Sequence, residues 1–147
     1  SADSKALARI NIFAVGAVVP EATDAVSLLG EEGIDANVFV VTSPDLLSRR
    51  VTVAAADEAA GTTEGYWNPT GLLDDHEVGL PTISVIDGAP SSMAFLGSAL
   101  DCPTVNLGVS EYGQSGTLEH LYRHFEIDAQ GIYQSGLALI DRLRRRH

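Results

Sequence analysis

One cysteine, one methionine, one tryptophan and nine basic residues are all that this 147-residue chain holds of those types. Each shortage excludes something. A lone Cys102 permits neither an internal disulfide framework nor a cysteine-based zinc set. Lying between Leu100 and Pro103, it reads as a small buried hydrophobe, and a cytoplasmic setting is the expectation. Nine basic against 20 acidic residues leave a net charge of −11. That balance opposes nucleic-acid binding, which needs a basic surface to displace counterions. No apolar run approaches the ~18–20 residues that span a bilayer. Neither GxxxxGK[ST] nor GxGxxG occurs, so nucleotide binding of either familiar kind has no motif behind it. The opening residues, SADSKALARI, carry no Met and no signal-peptide core, as expected of a domain cut from something longer.

What is present describes a folded α/β domain. The hydrophobic fraction is 45% with mixed charge, enough for one real core in a single domain spanning residues 1–147. Residues 9–15 are β-rich and stop at Gly16. Pro20, Glu21 and Asp24 suit the first turn of a helix whose apolar face is Ala22, Val26 and Leu29, with its exit at Gly30 and Gly33. Residues 36–41 form a second short apolar run. Ser43-Pro44-Asp45 is a helix start, with Leu46, Leu47, Val51 and Ala54 expected inward. Residues 57–80 lose all periodicity and read as a long loop with Tyr66 and Trp67 at its middle, a length that is uncommon in a compact domain.

Strand character returns at residues 82–86 and 103–109, around a helix over 91–100 carrying Met93, Leu96 and Leu100. A short helix is expected from Thr117 to about His124. Asp128 then caps a final helix whose stripe is Ala129, Ile132, Tyr133, Gly136, Leu137, Ile140 and Leu143. Strands apolar on both faces and separated by helices predict a three-layer α/β/α sandwich on a mostly parallel sheet with right-handed connections.

Ligands of such sheets bind beyond the carboxyl ends of the strands. Those ends supply Gly16, Thr42-Ser43, Asp87-Gly88 and the turn Gly113-Gln114-Ser115-Gly116-Thr117. Gly113, Ser115, Gly116 and Thr117 are the best anion site on paper, because amides and hydroxyls would gather at a helix N-terminus. The plainer role, which we favour, is a helix cap and a turn. Asp87 is the one carboxylate whose position at the end of a buried strand would perturb its pKa; hydrogen bonding to the turn at Gly88 and Ala89 is the preferred alternative. His120 and His124 lie four apart but enclose Leu121, Tyr122 and Arg123, without the Glu of an HExxH site. Asp74-Asp75-His76-Glu77 could attract a cation and more often is a solvated turn. GQSG fails the GxSxG pattern of a serine nucleophile. Arg142, Arg144, Arg145 and Arg146 complement the dipole of a closing helix; a docking patch for an acidic partner is the sharper alternative. No catalytic, cofactor-binding or metal-ligating residue is assigned.

Four phrases in order add a resemblance: VTSPDLLSRR, YWNP, TISVIDGAPSSMAFLGSAL and LGVSEYGQSGTLEHLYRHFEID. Together they resemble the last domain of the transketolase-like, thiamine-diphosphate-dependent enzymes. The likeness is greatest to the homodimeric decarboxylating component of bacterial pyruvate dehydrogenase, and the alanine-rich stretch at residues 54–61 departs from it. The resemblance implies a parent enzyme that uses thiamine diphosphate and a divalent metal to decarboxylate a 2-oxo acid and pass the acyl group to a lipoyl group. It implies three partners: the other domains of the parent chain, a homodimer mate and the dihydrolipoyl acyltransferase. The family's cofactor signature, Gly-Asp-Gly followed by Asn, is missing here. The expected role is therefore support for dimer assembly and the active-site entrance, the isolated chain being inactive. The same domain of a transketolase or deoxyxylulose-phosphate synthase is one alternative. A free-standing anion-binding or interaction module is another.

Overall fold

The computed structural model describes residues 8–61, 73–74, 76–109 and 127–146. The chain begins with β1 (Ala8–Val15), turns through a 3-10 segment (Gly16–Val18), and enters α1 (Val19–Glu31). It continues through β2 (Ile34–Val41), α2 (Pro44–Ala59), β3 (Thr82–Ile86), a 3-10 segment (Pro90–Met93), α3 (Phe95–Leu100), β4 (Thr104–Leu107) and α4 (Ala129–Arg145). The four strands form one parallel sheet in the order β2-β1-β3-β4. The expected α/β layering on a parallel sheet is what the structure has.

The two faces of β1 build two cores, because successive strand side chains point to opposite sides. Ile10, Ile12 and Ala14 join Ala22, Ala25 and Leu29 of α1 and Ile132, Leu139 and Ile140 of α4. Phe13 and Val15 face the other way, onto Leu47 of α2, Leu96 and Leu100 of α3, and the buried Met93 and Leu73. Full burial of one such isoleucine is worth about 1.5–3 kcal/mol. The Phe13 and Phe39 rings stack across β1 and β2 with centroids 5.1 Å apart.

Local chemistry sets the helix ends. Pro20 lies in the first turn of α1, where its missing N–H costs nothing. Ser43 Oγ accepts from Leu46 N at 3.3 Å, the expected cap on α2. Asp128 accepts from Gly131 N at 2.9 Å, so it caps α4 as its position predicts. Glu21 adds a second acceptor at that terminus, reaching from α1 to Ala129 N at 2.8 Å.

Three expectations need correction. Leu46 does not face inward: it is 63% exposed, while Leu47 is 7% exposed. Leu47 is buried, Val51 and Ala54 are half-buried along the same ridge at i, i+4, i+7, and Leu46 falls about 100° off it. The stretch at residues 57–80 is not loop from its start, since α2 runs on to Ala59; alanine is the best helix former and extends the helix to the edge of Gly61. The helix expected over residues 91–100 is a 3-10 turn followed by a six-residue α-helix. There Ser92 N bonds Ala89 O and Ala94 N bonds Ser91 O, the i to i+3 pattern of tighter winding. The middle of the long loop, with Tyr66 and Trp67, and the helix expected at residues 117–124 lie outside the described residues.

Candidate functional site

Strand order places the switch point of the sheet between β1 and β3, since the chain leaves β1 toward β2 and returns to β1's other side. In open parallel sheets this is where ligands enter. Val15 pairs with Ile86, so the residues that follow, Gly16 and Asp87, meet at the carboxyl edge. The Ala17 N–H donates to Asp87 Oδ2 at 3.2 Å. Gly16 has φ +78°, and a Cβ placed on it would lie 2.5 Å from Asp87 Oδ1. Glycine takes that backbone conformation without strain, and a side chain there would displace the Asp87 carboxylate. Asp87 is exposed, not buried as its place at the end of a buried strand suggested. Its amide partner is Ala17, across the switch point, rather than the turn at Gly88 and Ala89.

The neighbouring loop ends are tied to one another. Val109 N donates to Gly88 O at 2.8 Å, joining the exit of β4 to the turn after β3. The switch point thus carries a carboxylate seated against a backbone amide. That arrangement can orient a loop or accept a hydrogen bond from a hydroxyl. It repels phosphate. A diphosphate would meet this carboxylate only with a divalent cation between them, and no step through thiamine diphosphate is assigned to these residues.

Gly113, Ser115, Gly116 and Thr117 lie outside the described residues, as do His120 and His124. Asp74, His76 and Glu77 do come together, with donor atoms within 4.8 Å of one another. Glu77 Oε1 accepts from Asp74 N at 2.8 Å, so part of this carboxylate serves the turn itself. Cys102 is half-buried, less so than expected, and its thiol donates to Thr82 Oγ1 at 3.4 Å. Arg142, Arg144 and Arg145 occupy the last turn of α4, where cations offset the helix dipole. Arg145 also pairs with Asp141 at 3.0 Å.

Sequence reasoning missed a polar row on the α2/α3 side of the sheet. Asn11, Thr82 and Ser84 are buried. Asn37 and Thr82 both lie in register with Asn11, and Thr104 with Thr82. Asn11 Oδ1 accepts from Asn37 Nδ2 at 3.2 Å, and Asn11 Nδ2 donates to Glu77 O at 2.8 Å. One rung further along, Ser84 Oγ donates to Asn106 Oδ1 at 2.6 Å. The signal was available as polar residues inside β-rich runs, but only the register shows that they share a face.

Comparison with known proteins now adds to the geometry. The profile of the family described as "Transketolase-like TK C-terminal domain" matches residues 1–128. The chain belongs to that family. Among solved structures, the transketolase-like domain resembles one described as "Split gene transketolase, inactive beta4 tetramer", with 20% identity and a TM-score of 0.55. The alignment covers 89% of this chain and 40% of that one. At this identity the match speaks for the fold. No curated protein matches the domain. No helix among the described residues is long and apolar enough to cross a membrane.

Proposed function

We propose that this domain is the carboxy-terminal, non-cofactor-binding part of a thiamine-diphosphate-dependent 2-oxo acid dehydrogenase, with pyruvate as the substrate of the parent enzyme. The observation that carries the family is the match over residues 1–128. The narrower choice of pyruvate rests on the wording of residues 107–128, LGVSEYGQSGTLEHLYRHFEID, and its likeness to the decarboxylating component. In this reading the parent is an oxidoreductase acting in the cytoplasm. Its cofactor and divalent metal belong to other domains, and this domain supports a homodimer, the active-site entrance and the approach of the lipoyl-bearing acyltransferase.

Asp87 and Gly16 support that division of labour. A carboxylate already accepts from the Ala17 amide at the switch point, which suits a loop-orienting scaffold. The test extends the reading frame upstream of Ser1 and assays the longer protein with thiamine diphosphate and Mg²⁺. An upstream Gly-Asp-Gly…Asn segment and release of CO₂ from pyruvate are expected. Ketol transfer between sugar phosphates in place of pyruvate decarboxylation would assign the domain to a transketolase. Activity on a branched 2-oxo acid alone would keep the dehydrogenase and change its substrate. A stop codon close upstream, with phosphate or carboxylate binding by the chain alone, would favour the free-standing anion-binding module.

A further inference from the structure

We draw no further inference here: the strongest candidate, the exposed apolar and cationic surface of α2 formed by Leu46, Arg49, Arg50 and Val53, carries nothing because nothing in the structure shows what covers it.

Discussion

The two faces of the sheet are built on different principles. Toward α1 and α4, β1 presents Ile10, Ile12 and Ala14, and the helices answer with aliphatic side chains and close approach. A Cβ on Gly136 would lie 2.9 Å from Leu29 Cδ2, so the absence of a side chain there brings α4 against α1. Polar links then tie the two ends of α1 to the N-terminal part of α4: Glu21 to the Ala129 amide, and Tyr133 Oη to Glu32 Oε1 at 2.9 Å. Toward α2 and α3 the same strand presents Asn11 before Phe13 and Val15, and half of the face is a hydrogen-bonded polar row. Helix α2 buries Leu47 and leaves Leu46 and Val53 more than 60% exposed. The first face holds the domain together by packing. The second packs a core of its own around Phe13, Met93 and Leu96 and also positions a loop, since Asn11 grips the segment before β3 through Glu77 and Pro81.

Substitutions can break that contrast. The largest effect is expected at Ile12, which is fully buried on the α1/α4 face: Ile12→Ala should cost about 2–5 kcal/mol in urea unfolding, a transfer loss plus a cavity. A cost no greater than that of an exposed substitution would contradict the packed core assigned to this face. On the opposite face, Asn11→Ala should cost roughly 1–3 kcal/mol, because it leaves the Glu77 carbonyl and the Asn37 amide without their partner. Its second signature is local. Hydrogen exchange should quicken at Asn37 and around Glu77 while the amides of α1 keep their protection, and uniform loosening of both faces would contradict a loop-positioning role.

Smaller effects sharpen the same contrast. Asp128→Ala removes the cap of α4 and should cost about 1 kcal/mol, read as a lower midpoint with an unchanged slope. Leu46→Ser, one residue from the buried Leu47, should stay within about 0.5 kcal/mol of the parent, and a larger loss would place Leu46 in the core after all. The smallest effect is ionisation. Donation to Glu32 raises the Tyr133 pKa above 10.0, helped by desolvation and by the charges of Glu32 and Glu31. A raised folded value means that the hydroxyl's contribution is present below pH 10 and is lost as pH rises through the folded value. Tyr133→Phe should therefore remove a component of the tyrosinate absorbance titration that lies above the ordinary tyrosine range.

Much of this architecture is legible in the residues. The run at 82–86 matches β3 to the residue, because a valine- and isoleucine-rich segment between Pro81 and Asp87 allows little else. Ser43 and Asp128 announce helices by short-range hydrogen bonding that needs no tertiary context. The misses come from non-local choices. Leu46 and Leu47 are chemically equal, and only the seating of α2 decides between them. Asn11, Asn37, Thr82 and Ser84 share a face through strand pairing across 26 to 71 positions of chain, which no single run reveals. The contact of Asp87 with Gly16 and Ala17 is of the same kind, joining residues 70 apart in sequence. The anion corner read from Gly113 to Thr117 lies outside the described residues, so the switch point that the structure does show is the one occupied by Asp87.

The chain belongs to the transketolase-like C-terminal domain family, and the function proposed for it leaves the thiamine cofactor to other domains. Titration calorimetry of the 147-residue chain with thiamine diphosphate and Mg²⁺ tests this directly. The account predicts no saturable heat. Saturable binding by the wild-type chain would contradict it and make the domain a cofactor site in its own right.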